Sequence, residues 1–353
     1  MNVLEATIAA AIVLLATACG SNSDASSPVP DTVTTDVGQL HGVVDGDVVR
    51  FRGVPFAKSP VGALRWAPPQ PIPAWPGVRE ATKSTSPCSQ PAQNQDYPQD
   101  ILNEDCLYLE VTAPTSQSRK GSNRPVMVWA HGGGFVTGAA SEYNPQRMVL
   151  QGDVVVVTID YRLGAMGFLA LPGLTGGGAF GLADQQEALR FVRRNVAAFG
   201  GDPNNITFFG ESAGGLSTCM QLTSPAARGL FHRAIVESGG PCLKGLPAGG
   251  LGRSVPAVPY VQSRAAADQM GLAAAARLGC TDPATALACM RALPVNKVLT
   301  EHQTLAVAAY GGDDALLPSP PLDAMLAGNI ANVPVLAGYN RDESRLFHGL
   351  VML

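Results

Sequence analysis

The chain has 353 residues, enough for one large domain or two of average size. Hydrophobic residues make up 46% and charged residues only 15%, so a sizeable core can form and a disordered protein is excluded. The formal net charge of −4 and the lack of any Lys/Arg run exclude nucleic acid as a partner.

Residues 1–19 have the pattern of an export signal. The apolar run from Ile8 to Ala18 is far shorter than the roughly 20 residues that span a bilayer, and small residues precede Cys19. Residues 20–32 are polar and predict a linker. Two interpretations stay open: Cys19 is lipidated and anchors the mature chain to a membrane, or the signal is simply cleaved and the protein is secreted.

Short strands predominate in the first third of the chain. Residues 40–56 alternate apolar and polar around Asp45-Gly46, which predicts an antiparallel hairpin with a two-residue turn. Leu107, Leu109 and Val111 alternate in the same way and predict a further strand.

From residue 126 onwards, strands alternate with helices. Residues 126–130 and 154–159 are continuous apolar runs, typical of strands buried on both faces of a parallel sheet. Further short strands are predicted at 206–209, 234–236 and 333–337, and helices at 182–199 and from residue 213 to 222. The alternation predicts an α/β fold with a doubly wound, mostly parallel sheet. Residues 245–330 are rich in Ala, Gly and Pro and predict a partly helical cap or side excursion.

Six cysteines remain besides Cys19, and export would permit disulfides. Four of them flank two short polar loops in which a bridge is geometrically easy: Cys88 with Cys106, and Cys280 with Cys289. Cys219 lies in an apolar run, where we expect a buried free thiol. No Cys/His set has the spacing of a zinc site, so no metal is predicted.

Residues 210–214, Gly-Glu-Ser-Ala-Gly, fit the pattern G-x-S-x-G. A predicted strand ends at Phe209 and a helix begins after Ser212, which would put the serine on a sharp strand-to-helix turn with its hydroxyl exposed. The alternative is an ordinary glycine-rich turn that happens to hold a serine. The strand and helix on the correct sides favour Ser212 as a nucleophile.

A second glycine-rich motif, His131-Gly132-Gly133-Gly134, follows the strand at 126–130. Such a loop presents backbone N–H groups to the oxyanion that forms when a serine attacks an ester carbonyl. The alternative is a flexible turn after a strand. The N–H groups of Gly133, Gly134 and Ala213 are the predicted oxyanion hole.

Together with their surroundings, these motifs resemble the type-B carboxylesterase family, which includes carboxylesterases and cholinesterases. The stretches that carry the resemblance are FRGVPFAKSPVGALRW (51–66), EDCLYLEV (104–111), VWAHGGGFVTG (128–138), VVVVTIDYRLGAMGFL (154–169), FGLADQQEALRFVRRNVAAFGGDPNNITFFGESAGG (180–215) and GYNRDES (338–344). The resemblance implies an α/β-hydrolase domain over residues 33–353. It implies an enzyme that hydrolyses a small-molecule carboxylic ester through an acyl-enzyme intermediate, with no cofactor.

The resemblance also assigns individual residues. Glu343 matches the catalytic acid, Ser238 matches a serine close to that acid, and Glu211 adjoins the nucleophile. The pairings Cys88–Cys106 and Cys280–Cys289 match two disulfides of the family. The family's Asp-Glu-Gly is Asp-Glu-Ser at 342–344 here. Residues 89–105 contain Tyr97 and no Trp, so capture of a choline cation on an aromatic ring is not supported and general carboxylesterase specificity is expected.

The catalytic histidine has no candidate at the expected place. On this fold the order is Ser, then Asp or Glu, then His, and only His348 follows Glu343. Four residues separate the two, whereas a crossover between parallel strands takes at least about 10–12. The upstream histidines without a motif are expected to be surface or capping residues: His41, His232 and His302.

We therefore expect the family's histidine beyond residue 353, and a domain that lacks its last strand and C-terminal helices. Residues 333–337 would then form an uncovered sheet edge, and activity would be impaired. A truncated product, a fragmentary gene model and one half of a split enzyme with a complementing C-terminal fragment all fit. Two other functions stay open: a non-catalytic binding protein with this fold, and an exported scaffold held by a lipid on Cys19.

Overall fold

The computed structural model describes residues 29–92, 97–116, 123–239, 261–301, 308–312 and 316–343. The predicted export signal with Cys19, most of the predicted linker, His302 and His348 lie outside the described residues. Val29 is already part of the core: it is 5% exposed, and a Cβ on Gly200 would come within 2.8 Å of its Cγ2.

The described strands follow in chain order: β1 (Thr32–Thr35), β2 (Gly38–His41), β3 (Val43–Asp45), β4 (Val48–Pro55), β5 (Val78–Glu80), β6 (Tyr108–Pro114), β7 (Arg124–Ala130), β8 (Val155–Ile159), β9 (Gly201–Glu211), β10 (Arg233–Glu237), β11 (Val261–Ser263), β12 (Ala308–Tyr310) and β13 (Val335–Gly338). The described helices are α1 (Gln146–Gly152), α2 (Gly164–Phe168), α3 (Phe180–Asn195), α4 (Ala213–Thr223), α5 (Arg264–Arg277), α6 (Ala286–Ala292), α7 (Val295–Val298) and α8 (Pro321–Leu326). None of these helices has both the length and the apolar character needed to cross a membrane.

Eight strands form one central sheet in the order β13-β10-β9-β7-β8-β6-β4-β3. The pairs from β13 to β8 are parallel, and those from β8 to β3 are antiparallel. The carboxyl ends of β7, β9, β10 and β13 therefore meet at one edge of the sheet. That edge is where a ligand site is expected on an open α/β sheet.

The sheet agrees with the predicted pattern where the apolar runs are continuous. All five residues of β8 are buried, as expected for a strand covered on both faces. β7 instead alternates buried and half-buried residues, because one of its faces is less completely covered.

The predicted hairpin differs in one detail. Asp45 pairs with Val48, so the two turn residues are Gly46 and Asp47, one position later than Asp45-Gly46. Leu40 lies not in this hairpin but in β2, within a separate sheet β1-β2-β5. Gly42 lies between β2 and β3, at a position where a Cβ would lie 2.6 Å from the carbonyl oxygen of Arg50.

The predicted long helix is α3, which continues as a 3₁₀ turn over Val196–Phe199 and ends at Gly200 with φ +76°. The expected excursion at 245–330 contains α5 to α8 and the small parallel pair β11–β12. Helices α5, α6 and α7 pack on Trp66 and α2 through a second apolar cluster beside the main core, whereas α8 packs on α4.

Two expectations for the cysteines are confirmed, and one is wrong. Cys88 is bonded to Cys106 and Cys280 to Cys289. Cys219 is not a free thiol, because its sulfur is disulfide-bonded. It is 4% exposed, and an apolar run indicates burial without distinguishing a thiol from a buried half-cystine.

β13 is the last strand of the central sheet within the described residues, and β10 is its partner there. All four of its residues are exposed, including Leu336 at 66%. An apolar strand with a bare edge and two open faces is a surface to which another polypeptide segment can pair.

Candidate active site

Ser212 occupies the single residue between β9 and α4, as the motif predicts. Its backbone lies at φ +54° and ψ −117°, a region that side chains rarely adopt and that costs about 1–3 kcal/mol. The backbone N–H of Ser212 donates to the carbonyl of Glu237 at 3.0 Å, which fixes the turn to the end of β10. The surrounding fold thus holds the serine in a strained turn that the chain would not adopt alone.

Gly214 explains how the turn comes so close to the neighbouring strand. A Cβ at this position would lie 1.9 Å from the carbonyl oxygen of Ala130 and 3.0 Å from that of His131. A residue with a side chain would push the start of α4 away from the end of β7. The glycine therefore keeps Ser212 beside the loop that follows β7.

That loop, residues 131–138, begins with the predicted motif at 131–134 and is called the oxyanion loop. A Cβ on Gly132 would lie 3.4 Å from the Cβ of Ser212 and 3.1 Å from Oε2 of Glu211, so the two motifs are in direct contact. The N–H groups of Val136 and Thr137 both donate to the carbonyl of Gly133, at 3.0 and 3.1 Å, which closes the loop on itself.

Backbone donors are available beside the serine. The N–H groups of Gly133, Gly134 and Ala213 have no acceptor within the described ranges. Ala213 begins α4, and the first N–H groups of a helix have no acceptor inside the helix. The residues predicted for an oxyanion hole thus have free donors close to Ser212.

His131 supports the oxyanion loop from inside the protein. Burial lowers the pKa of its imidazole to about 4, so the ring is neutral at physiological pH. Its Nδ1 lies 2.8 Å from the carbonyl oxygen of Gly132 and donates to it, because only a protonated nitrogen can bond an oxygen acceptor. This neutral, enclosed ring is not suited to take a proton from Ser212 near pH 7.

Glu343 lies in the turn after β13, at the same edge of the sheet. Its Oε2 accepts the backbone N–H of Asn340 at 2.7 Å, so its own loop holds it in place. The pKa of Glu211 is raised by burial and then by the charges of Glu343 and Glu237. Glu343 and Glu237 therefore both lie within electrostatic reach of Glu211, the residue before the serine.

Ser238 lies directly after β10. Its N–H donates to the carbonyl of Gly338 at 2.8 Å, and its backbone has φ +51°. It therefore joins the end of β10 to the end of β13, which carries the loop of Glu343.

The other described histidines lie away from this edge. His41, on β2, bonds Glu80 through Nδ1 at 2.9 Å. His232 lies just before the amino end of β10, and its ring accepts the N–H of Ile206 at 3.1 Å. With His131 facing inward, none of the three described histidines contacts Ser212.

Tyr161 is a supporting residue that the sequence did not reveal. It is fully buried, and its hydroxyl donates to the carbonyl of His131 at 2.7 Å. Tyr161 lies two residues after β8, within the stretch 154–169 that carries the resemblance, but neither its position nor the apolar run indicates that its side chain turns toward the oxyanion loop.

Comparisons with known proteins agree with this geometry. Residues 29–352 match the family model described as the carboxylesterase family. The chain is 38% identical over 337 residues to a cocaine esterase of Oryctolagus cuniculus, covering 91% of this chain and 60% of that protein. It is also 38% identical over 323 residues to the para-nitrobenzyl esterase of Bacillus subtilis (strain 168), covering 89% and 63%. The chain thus spans about three fifths of the length of the curated relatives it matches.

Solved structures give the same result. A PNB esterase superposes with a TM-score of 0.77 at 35% identity, covering 90% of this chain and 64% of that one. A carboxylesterase of Geobacillus stearothermophilus superposes with a TM-score of 0.75 at 35% identity, covering 91% and 64%. These matches confirm the expected α/β-hydrolase fold.

Proposed function

Because this chain belongs to the carboxylesterase family, we propose that it is a carboxylic ester hydrolase with Ser212 as its nucleophile. The observation that carries the proposal is the contact between Gly132 and Ser212, which places a loop of free backbone donors beside a strained serine. A glycine-rich turn without a function has no need of that strain or of that neighbour.

In the proposed reaction, the hydroxyl oxygen of Ser212 attacks the ester carbonyl. The resulting oxyanion is held by the N–H groups of Gly133, Gly134 and Ala213, the alcohol leaves, and Ser212 keeps the acyl group. Water then attacks the acyl-enzyme, and the carboxylic acid is released. Glu343 is the acid whose charge orients a histidine, and the reaction as proposed uses no cofactor.

The proton acceptor is the remaining part of the triad. His41, His131 and His232 are each engaged elsewhere, so we propose that none of them is the base. Loss of the histidine from a comparable triad costs about 10⁶ in turnover, while the oxyanion hole retains some 10³–10⁴ over water. We therefore expect ester hydrolysis to be slow wherever no other histidine supplies the base.

The substrate is proposed to be a small, uncharged carboxylic ester. Two relatives are named as esterases of small molecules, a cocaine esterase and a para-nitrobenzyl esterase. The segment within the Cys88–Cys106 disulfide has no Trp to bind a quaternary ammonium group. Choline esters should therefore gain no advantage over neutral esters of the same acyl length.

The test is hydrolysis of p-nitrophenyl butyrate by the purified 353-residue chain, beside Ser212→Ala, His348→Ala and the surface control Ser59→Ala. Turnover that disappears in Ser212→Ala and persists in Ser59→Ala supports the proposal. Loss in His348→Ala as well would identify His348 as the base and contradict the expectation drawn from its spacing. Equal rates in the wild type and Ser212→Ala would mean that these residues have no esterase activity of their own.

A non-catalytic recognition module is the second candidate, favoured by the fact that no described histidine contacts Ser212. A serine-directed organophosphonate distinguishes the two, since it reacts with a chemically poised serine. Labelling of the wild type but not of Ser212→Ala supports an enzyme, and no labelling of either supports a binding protein.

We also propose that the protein is exported, with residues 1–19 as the signal. All five described cysteines are disulfide-bonded, as expected for an oxidising compartment. The mass of the mature N-terminus decides between the two forms: a lipid on Cys19 indicates a membrane-anchored lipoprotein, and a plain cleaved terminus indicates a secreted protein.

A further inference from the structure

A buried glutamine connects the Cys88–Cys106 disulfide loop to the oxyanion loop. We propose that Gln90 is a positioning residue, which holds the oxyanion loop in the conformation that brings its N–H groups to Ser212. The catalytic part of this inference rests on the proposed ester hydrolysis. The contacts that support it lie entirely within described residues.

The side-chain amide of Gln90 pairs with both polar groups of one glycine. Its Oε1 accepts the N–H of Gly138 at 2.9 Å, and its Nε2 donates to the carbonyl of Gly138 at 3.0 Å. The same Nε2 donates to the carbonyl of Cys88 at 3.0 Å. Gln90 has no exposed surface, so water does not compete for these bonds.

Gln90 is itself held in place by the disulfide loop. Its backbone pairs with Ile101 in both directions, at 3.0 and 2.9 Å, across the loop. The Cys88–Cys106 bond lies two residues before it, and the hydroxyl of the neighbouring Ser89 donates to the carbonyl of Asn103 at 2.7 Å. The amide is thus presented to Gly138 from a cross-linked frame.

Gly138 passes this constraint on to the oxyanion loop. It lies at φ +115°, and a Cβ there would come within 2.4 Å of Nδ1 of His131, so its backbone packs directly on the imidazole. That same Nδ1 donates to the carbonyl oxygen of Gly132, and Gly132 is the glycine that packs against Ser212. A shift of Gly138 would therefore displace the ring and, with it, the first glycine of the loop.

The chemistry requires an amide of this length. Asn is one methylene shorter and cannot reach Gly138 from the same backbone position. Glu keeps the acceptor for the Gly138 N–H, but its ionised form loses both donations of Nε2. Protonation of that buried carboxyl returns one donor, so a Glu variant should recover part of the contact as the pH falls.

Amide hydrogen exchange tests the contact without relying on activity. We expect the peptide covering 131–138 to exchange at least about tenfold faster in Gln90→Ala than in the wild type, since buried hydrogen bonds are lost. Gln70→Ala is the matched control, because this glutamine is exposed and its amide donates, among the described residues, only to the carbonyl of Pro68, and it should leave that peptide unchanged. In Gln90→Glu, exchange corrected for its intrinsic pH dependence should approach the wild-type value at pH 5 and exceed it at pH 8. Equal protection of this peptide in the wild type and Gln90→Ala would overturn the proposal.

Ester hydrolysis gives the second measurement. After subtraction of the Ser212→Ala rate, kcat for p-nitrophenyl butyrate should fall about tenfold or more in Gln90→Ala with little change in KM, because only oxyanion stabilisation is impaired. A kcat of Gln90→Ala equal to that of Gln70→Ala in an active chain would overturn the positioning role. A wild type no faster than Ser212→Ala would count against the proposed function instead, and the exchange experiment would still decide the role of Gln90.

Discussion

The rings of His131 and Tyr161 stack with their centroids 4.4 Å apart, and the hydroxyl of Tyr161 donates to the backbone carbonyl of His131 at 2.7 Å. One side chain therefore supports both the ring and the main chain at the start of the oxyanion loop. The imidazole stays neutral and enclosed between this phenol and Gly138. The loop is held from the β8 side by Tyr161 and from the disulfide side by Gln90.

Removal of the phenolic hydroxyl should weaken this support. In Tyr161→Phe the carbonyl of His131 loses a buried donor, and the free energy of unfolding should fall by about 1–3 kcal/mol. Tyr108→Phe is the control, because its hydroxyl bonds Asp105 in an exposed position and should change stability by no more than about 0.5 kcal/mol. Urea unfolding of both variants measures the difference, and equal effects would contradict a special role for Tyr161.

The backbone conformation of Ser212 predicts an effect on stability that does not depend on catalysis. At φ +54° a side chain is strained, whereas glycine is not. Ser212→Gly should therefore be more stable than Ser212→Ala by about 1 kcal/mol, although glycine normally lowers stability relative to alanine. Chemical denaturation of the two inactive variants measures the order, and a less stable glycine variant would show that the turn is relaxed.

The ion pair of Arg162 with Asp184 should be important for stability. Asp184 is fully buried and accepts Nε and Nη2 of Arg162 at 2.8 and 2.7 Å. Asp184→Ala leaves a buried guanidinium without its partner, and we expect a loss of about 3–5 kcal/mol. Arg341→Ala removes an exposed ion pair with Asp342 and should cost at most about 0.5 kcal/mol. A similar loss for both variants in urea unfolding would contradict this distinction.

Asp160 should make stability depend on pH. Burial raises the pKa of its carboxyl to about 8, with Glu110 and Glu142 adding to the effect and the N–H of Ala140 opposing it. The folded state then keeps a proton on Asp160 that the unfolded state releases near pH 4. The contribution of Asp160 to the free energy of unfolding is therefore fully present below pH 4 and is lost as the pH rises to 8. Asp160→Asn should therefore gain stability relative to the wild type over that range, by at most about 1.4 kcal/mol per pH unit. Thermal unfolding at pH 5 and pH 8 measures the gain, and parallel curves would mean that the carboxyl is ionised in the folded protein.

The sequence predicts the parts of the fold that have a local pattern. The apolar run at 154–159 indicates β8 correctly, and the glycines around Ser212 indicate the turn between β9 and α4. β11 and β12 were missed, because each has three residues and the two pair across more than forty positions. The short helix α1 was missed as well, since seven residues with one buried side chain carry no periodic signal.

The same limit applies to the site. Ser212 and the oxyanion loop have motifs, and Glu343 is found through its resemblance to a family. Gln90 and Tyr161 act through contacts made 48 and 30 residues away, which no local pattern indicates. The disulfide at Cys219 was missed because the apolar run around it shows only that it is buried.

The burial of Val29 limits how the protein can be shortened at its amino end. Its side chain fills the space beside Gly200, where α3 and its 3₁₀ extension lead into β9, the strand that carries Ser212. Removal of residues up to 28 leaves this contact in place, whereas a start at residue 33 deletes it together with the first residue of β1. Affinity tags and protease sites therefore belong before Val29, and a shortened protein that begins after it should be purified in lower yield.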